Sequence, residues 1–573
     1  MSKQELKFWM IALVLNSLLY LPAYLGDIAY SCFFCWSSWG SYDWNDTWEL
    51  MFMRYNYDVF RISVDFFLAT AVYLLLQKYL ARKWFSVLFF LGYSTIFIFQ
   101  IYHHSFSEIY KVEPMFYNDW FMLQGGYELI MVDADWKVAA AIVGILGLFY
   151  GLYRVLTYYL RLAGSVSFGK WSKGITVALS LMIGVGIYKH GITNVRPRHQ
   201  VSSQLAFIRR NVNLSRIAKG AFEKIDLDFL LKQDLSKQYP LQQKPNVHFI
   251  FIESYGNLIY RRPNLLADFK TYMPNYEAAL AKAGWQMGSR LSTAPGNGGG
   301  SWVCYSSALF GFDFQHHANY MTLLQTPKMY QYQQLHRYLH DQNYKVYWLN
   351  SPKNEAKLDL PWDAYTQFYA VDEWIRFGDL NYQGPMYGFG PCPPDQYTLN
   401  FAKDYIETQS EKPYVLFYLT KNSHLPFDSP TNIVEDYRSL STNEMDEQKS
   451  VLLAQGNLEA YANAIRYQWE MLVDLILKKG KPEDIYIFAG DHQPPMLTQR
   501  ADGFETPFHV ITQDSVFLQQ FLQHGFEPGL LIDSTAKPMT HQTFHSLFLN
   551  AMVKANGVDT LNLPPFLPRG YEF

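Results

Sequence analysis

The sequence predicts a multi-span α-helical membrane domain of five helices, followed by an extracytoplasmic α/β domain with a largely parallel central sheet. Three observations carry this expectation. Long apolar runs are confined to residues 1–192, basic and acidic loops alternate between them, and beyond residue 240 short apolar β-rich runs alternate with helical patterns. The implied boundaries are 1–192 for the membrane domain, 193–243 for an amphipathic connector and 244–573 for the globular domain. At 573 residues the chain exceeds one ordinary domain. Aromatic and charged residues each make up 17%, and the mean hydropathy of −0.12 averages two unlike halves. A net charge of −3 with no basic run leaves no nucleic acid among the expected partners. Four cysteines are too few for a disulfide scaffold, although an oxidising compartment permits a bridge.

The expected spans are Phe8–Leu25, Ser63–Leu80, Trp84–Tyr102, Val138–Leu160 and Gly174–Tyr188, set against the about 20 helical residues a bilayer requires. Asp65 near the start of the second makes it the least regular of the five. Lys3 and Lys7 precede the first, Lys78, Arg82 and Lys83 lie between the second and third, and Arg154, Arg161, Lys170 and Lys173 surround the fourth-to-fifth connection. The alternate loops are acidic, with Asp27, Asp43, Asp46 and Glu49 in one and Glu108, Glu113, Asp119, Glu128, Asp133 and Asp135 in the other. The Lys and Arg bias puts the basic sides in the cytoplasm, so the chain after about residue 190 is expected outside. Ala29–Cys32 has a loose likeness to a lipoprotein cleavage site, which Tyr30 fits poorly, and the later spans hold the chain in the membrane either way. In the connector, Arg196, Arg198, Arg209, Arg210, Arg216 and Lys219 mix with Leu205, Phe207, Ile208, Leu214, Ile217 and Phe222. That pattern suits a helix on the outer leaflet or, equally, a solvated linker helix packed on the globular domain.

In the globular half the clearest strands are Val247–Ile252, Tyr344–Leu349, Tyr414–Leu419 and Ile485–Ala489. Helical stretches include Tyr276–Ala283, Tyr330–Asp341, Leu399–Glu407 and Leu458–Lys478. Ligands of open α/β sheets bind at the carboxyl ends of strands. Polar residues follow these strands closely: Glu253, Asn350, Asn422-Ser423-His424 and Asp491-His492.

Glu253 is a candidate metal ligand; as a bare strand-end carboxylate it equally suits a turn cap. Gly296-Asn297-Gly298-Gly299-Gly300 lets backbone approach a ligand closely, and Ser301 then opens a helix. A hydroxyl there gains from the helix dipole, which favours an alkoxide and an incoming phosphate; its bland role is an ordinary N-cap. His424 stands beside Pro426, which suggests a rigid turn at the sheet edge, though a lone histidine is usually structural. Asp491 and His492 on one strand-end turn offer an oxygen and a nitrogen to a single metal; an N-capping Asp beside a chance His is the alternative. Glu253, Ser301, Asp491 and His492 together make a mixed O/N site in which a metal deprotonates the serine. Ser254 and Ser306 are the rival hydroxyls, and neither gains the helix-terminus field.

With these residues the sequence resembles the alkaline phosphatase/sulfatase superfamily. Within it, the likeness is to the membrane phosphotransferase branch of lipoteichoic acid synthases and phosphoethanolamine and phosphoglycerol transferases of bacterial envelopes. The resemblance spans nearly the whole chain and makes the α/β domain sulfatase-like. It implies that Glu253 is the strand-end acidic ligand, that Ser301 stands at the position of the threonine nucleophile with Gly311 at the motif's spacing, and that His424 contacts the substrate phosphate. It also implies that Asp491-His492 is the closing ligand pair, that Thr506–Val510 is the strand that follows, and that Trp348-Leu349-Asn350 lies near the substrate contacts. Serine in place of threonine keeps the hydroxyl but loosens the rotamer. Trp302-Val303-Cys304-Tyr305 after Ser301 lacks the Pro and Arg that formylglycine formation requires, which disfavours a true sulfatase.

The resemblance implies a metal-dependent transfer of a phosphoethanolamine or phosphoglycerol head group from a phospholipid donor to a glycan or lipid acceptor, by an enzyme of the bacterial inner membrane with its catalytic domain in the periplasm. A hydrolase of the same superfamily and a catalytically silent envelope assembly protein are the alternatives. One divalent metal is expected, with Zn²⁺ and Mn²⁺ both suited to one His among oxygen ligands. Cys304 and Cys392 are a candidate bridge bracing the Ser301 helix, against two free buried thiols, and Cys32 and Cys35 form a separate Cys-x-x-Cys.

Overall fold

Among the described residues, helices run through each of the five apolar stretches and form most of the first of two units. The computed structural model describes residues 1–22, 61–77, 79, 82–120, 136–190, 201–222, 231–232, 234–353, 360–388, 390–409, 411–442, 458–499 and 502–571. The units are Met1–Gly220 and Ala221–Phe573. The first contains α1 (Lys3–Leu19), α2 (Val64–Leu76), α3 (Arg82–Tyr110), α4 (Trp136–Ser165), α5 (Lys170–His190) and α6 (Gln204–Phe222), with β1 (Ile62–Ser63) paired in parallel to β2 (Val201–Ser202). Among the described residues, only Lys83–Ser107 and Ile142–Ser165 are both long and apolar enough to cross a membrane, so the expectation of five spans reduces to two by that measure. The reasons are local. α2 has 13 residues, about 20 Å of helix against about 30 Å of hydrocarbon; the described part of α1 has 17, and lysines at both ends dilute α5.

Asp65, the acid that interrupts the second apolar stretch, has a defined task. It accepts from Ser203 Oγ at 2.8 Å and from the backbone N–H groups of Gln204 and Leu205 at 2.6 and 3.1 Å, which caps α6. Asn16 similarly bridges α1 to the segment before α2, donating to the Arg61 carbonyl at 2.6 Å and accepting from Ser63 N at 2.9 Å.

The second unit is built on β3 (Val247–Ile252), whose six residues are all buried. The further strands are β4 (Gln286–Thr293), β5 (Lys345–Asn350), β6 (Glu373–Arg376), β7 (Tyr414–Leu419), β8 (Ile485–Gly490), β9 (Glu505–Thr512), β10 (Glu527–Pro528) and β11 (Met539–Thr540). Among the described residues they make one nine-stranded sheet in the order β10-β4-β9-β8-β3-β7-β5-β6, with β11 beside β4. From β8 to β6 the neighbours are parallel, whereas β9 runs antiparallel to both β8 and β4. The sheet is therefore mixed rather than largely parallel. The connection from β8 to β9 contains no crossover helix, and without one the chain returns antiparallel.

Helices cover both faces, so β3 alternates between two apolar cores instead of between core and water. Phe249 and Phe251 join α8 (Ser301–Phe310), α9 (Leu335–Asp341), α12 (Ser515–Gln523) and α13 (Thr543–Asn556) on one face. Ile250 and Ile252 join α7 (Pro263–Lys282), α10 (Asp395–Gln409) and α11 (Leu458–Lys479) on the other.

The amino ends of β3, β7 and β8 meet in a polar knot. Lys403, 1% exposed, pairs with Asp484, 0% exposed, at 3.2 Å. Asp484 also accepts from Asn246 Nδ2 at 2.9 Å and Tyr486 OH at 3.1 Å. Removing one partner of a buried pair strands the other charge. Asp484→Ala is expected to lower stability by about 3–5 kcal/mol in equilibrium guanidinium unfolding; a loss below measurement error would show the pair to be idle.

Candidate active site

The carboxyl ends of β3 and β8 are adjacent and parallel, so the residues that follow them face the same space. β3 delivers Glu253, and β8 delivers Asp491 and His492; all three are buried. Their candidate ligand atoms lie within 4.8 Å of one another. His492 Nε2 is 3.5 Å from Glu253 Oε1 and 3.4 Å from Asp491 Oδ2.

Ser301 enters from α8. Gly298, Gly299 and Gly300 all have positive φ, 66°, 149° and 81°, a path that side chains resist. Gly300 is the left-handed residue preceding the helix and caps it without a side chain. Ser301 is thus the first helical residue and not an N-cap, which leaves its hydroxyl to the site. Its Oγ donates to Glu253 Oε2 at 3.1 Å and lies 3.2 Å from His492 Nε2. Gly311, left-handed at φ 75°, closes the helix.

Neighbouring groups hold the cluster rigidly. His492 Nδ1 is 2.9 Å from the Gln493 carbonyl; donation there leaves the Nε2 lone pair facing the carboxylates. Asp491 Oδ1 accepts from Ser254 N at 2.8 Å and His492 N at 2.7 Å. Ser254 Oγ donates to Glu253 Oε1 at 3.0 Å, and Thr420 Oγ1 accepts from Glu253 N at 3.1 Å. The two strand-end turns interlock so closely that a Cβ on Gly490 would lie 1.9 Å from the Tyr255 carbonyl oxygen. The rival hydroxyls have other work, Ser254 bracing Glu253 and Ser306 meeting Tyr369 OH at 2.7 Å.

Electrostatics set the two carboxyls apart. Burial works to raise the Glu253 pKa, but the charges of His492, His424 and Lys421 outweigh it and hold the group below the usual range. Burial and then the Glu253 charge push Asp491 above its usual range. Burial opposes protonation of His492, yet Asp491 and Glu253 raise its pKa. Asp491 Oδ2 is buried without a hydrogen-bond partner, a costly condition for a carboxylate oxygen. An orphaned oxygen, a second carboxylate and an imidazole nitrogen of fixed tautomer fit one divalent cation, with Ser301 Oγ as the fourth donor.

Other expected residues lie around this group. His424 follows β7; its Nδ1 is 2.8 Å from the Leu425 carbonyl, and its charge reaches Glu253. The segment carrying it is pinned by buried Asp395, which accepts from Lys421 N at 3.0 Å and Asn422 N at 2.8 Å. Thr506, the second residue of β9, donates to the Gly490 carbonyl at 2.8 Å. Trp348 is packed in the core, stacked on Phe417 at 3.8 Å, while Asn350 ends β5. Cys304 and Cys392 are both buried thiols, so the expected bridge is not formed. Cys304 Sγ packs beneath the glycine loop, and Cys392 lies in a backbone bridge to Tyr387, its Sγ 3.6 Å from the Gly390 carbonyl. Cys32 and Cys35 lie outside the described residues.

Sequence reasoning missed Thr420, Lys421 and His541. The first two immediately precede Asn422-Ser423-His424 at a strand end, and that position was their signal. His541 is buried beside the Gly490–Asp491 turn, its Nδ1 2.9 Å from Ser292 Oγ, with burial holding its pKa near about 3; nothing local in the sequence marks it.

Residues 245–523 match the sulfatase family model. The globular half of the chain therefore contains a sulfatase-like domain. No curated protein matches the sequence. Among solved structures it is similar to the integral membrane protein lipooligosaccharide phosphoethanolamine transferase A from Neisseria meningitidis, at 13% identity and a TM-score of 0.43 over 94% of this chain and 95% of that one. It is also similar to the Streptococcus pyogenes phosphoglycerol transferase GacH, at 13% identity and 0.34 over 59% and 82%. The Listeria monocytogenes lipoteichoic acid synthase LtaP is similar at 13% identity and 0.33 over 50% and 70%.

Asp491→Ala and His492→Ala are each expected to remove bound metal, read by elemental analysis, while circular dichroism remains that of the parent. Full occupancy in both would place the metal elsewhere.

Proposed function

We propose that the chain transfers a phosphoethanolamine or phosphoglycerol head group from a phospholipid to a glycan or lipid acceptor of the bacterial envelope, through a phosphorylated Ser301. The observation that carries this reading is the Ser301 hydroxyl, held at the start of α8 within 3.1 Å of Glu253 and 3.2 Å of His492. A hydroxyl so placed is a nucleophile, and the helix N-terminus behind it favours the charge of an incoming phosphate.

Glu253, Asp491 and His492, with Ser301 Oγ, would hold one divalent cation, Zn²⁺ or Mn²⁺, which supplies Lewis acidity that lowers the serine pKa. Ser301 Oγ attacks the donor phosphorus, the bond from phosphorus to the diacylglycerol oxygen breaks, and that oxygen takes up a proton. His424 binds a phosphate oxygen, its ring set by the Leu425 carbonyl. The acceptor hydroxyl then attacks the same phosphorus, the bond from phosphorus to Ser301 Oγ breaks, and the acceptor's proton passes to Oγ. In this reading α1–α5 span the inner membrane and the sulfatase-like domain lies in the periplasm, where a lipid donor is within reach.

Ser301→Ala is expected to abolish transfer, a loss of several orders of magnitude, and Ser301→Thr to retain part of it. Mass spectrometry of the Ser301 peptide after incubation with membrane lipids should find an adduct whose mass names the head group. Unimpaired Ser301→Ala turnover, or an adduct on Ser254 or Ser306, would refute the assignment.

Topology is tested separately. A reporter active only outside the cytoplasm, fused after residue 573, is expected to be active; activity of a cytoplasm-only reporter there would overturn the arrangement of spans.

A further inference from the structure

The helix α6 is tied to one end of the helical bundle by polar contacts, and its opposite face is open. Tyr73 packs on Phe85 and Phe66 on Tyr93, so α2 and α3 run antiparallel, and the start of α2 and the end of α3 share one end. Asp65, at the start of α2, caps α6. Beyond the end of α3, Asn211 Nδ2 donates to the Pro114 carbonyl at 2.8 Å, and its Oδ1 accepts from Phe116 N at 2.9 Å. Ser215 Oγ accepts from Tyr117 N at 3.1 Å. If α2 and α3 are spans, as proposed above, α6 lies at the membrane–water boundary. Exposed Phe116 and Trp120 beside it are the aromatic residues such a boundary favours.

Along the open face run Leu205, Arg209, Val212, Arg216 and Lys219, spaced to share one stripe. Leu205 and Val212 are 55% and 42% exposed. The 19 residues of α6 include no acid. Arg210, off the stripe, pairs with Glu113 at 2.8 Å, but among the described residues Arg209, Arg216 and Lys219 have no acidic partner. A helix that is only a solvated linker gains nothing from exposed leucine and valine between cations that no described acid neutralises. At a bilayer surface both are stabilised, the apolar groups by the acyl boundary and the cations by lipid phosphates.

We propose that this stripe binds the head groups of anionic phospholipids in the leaflet next to the α6 end of the bundle. The proposal rests on the membrane reading of the first unit and not on the chemistry of Ser301. The test uses the full chain in neutral detergent, titrated with tail-labelled phosphatidylglycerol or tail-labelled phosphatidylcholine. The parent should bind phosphatidylglycerol about 10-fold more tightly, with the difference shrinking at high salt. The triple variant Arg209→Gln, Arg216→Gln and Lys219→Gln should lose that preference and keep its affinity for phosphatidylcholine. The charge-keeping pair Arg209→Lys and Arg216→Lys should retain the preference. No preference in the parent, or an undiminished one in the triple variant, would overturn the proposal. Hydrolysis of a water-soluble phosphodiester by the parent and the triple variant should be equal, which shows that the variant is folded. Loss of that hydrolysis in the triple variant alone would overturn the proposal by tying the stripe to the chemistry. Its absence in both would count against the Ser301 reading and leave the lipid titration standing.

Discussion

Two carboxylates and an imidazole, all buried within a few ångströms, cannot carry their ordinary charges without compensation. The surroundings of Glu253, Asp491 and His492 answer that constraint. Backbone N–H groups and the Ser254 hydroxyl take the outward lone pairs, and the Gln493 carbonyl fixes the imidazole tautomer. The other Asp491 oxygen lies 3.4 Å from His492 Nε2 and is buried without a hydrogen bond. The cluster is then neither an ordinary ion pair nor a satisfied polar core, and its donor set is one that could hold a divalent cation. Close packing of the two strand-end turns, with Tyr255 against Gly490, keeps the groups from relaxing outward.

Much of this centre was legible because its parts sit at punctuation marks. Uninterrupted apolar runs stop at Glu253 and at Asp491, and the glycine stretch stops at Ser301. Such breaks are local, and strand-end logic reads them directly. What was not legible depends on pairing. Gln286–Thr293 mixes polar and apolar residues in a way that takes its strand character from β9 and β11, and the antiparallel half of the sheet follows from it. The helix expected at Tyr276–Ala283 begins at Pro263 and runs through Pro274 to Lys282. The Cys304–Cys392 bridge failed for a related reason: a sequence position near a helix says nothing of which way a thiol faces.

The first unit shows the same limit from the other side. Composition reads Asp65 as a flaw in an apolar stretch, whereas in the fold it caps a helix that begins 139 residues later. Asn16 bridges a gap of 47 residues between α1 and the start of α2. Apolar periodicity locates helices, but it is blind to the few polar side chains that register them against one another.

The position of β3 has a consequence for how the chain is made. This strand is the first of its sheet to be synthesised, yet it becomes the innermost. The backbone just past its end waits for Thr420, 167 residues on, and for Asp491, 237 residues on. Until β7 and β8 arrive, a strand whose six residues are all buried in the finished sheet has two open edges, the arrangement most prone to wrong pairing. A nascent chain halted before residue 485 would hold Glu253 and Ser301 but neither Asp491 nor His492. The four groups of the candidate site are thereby brought together only after β8 has been made.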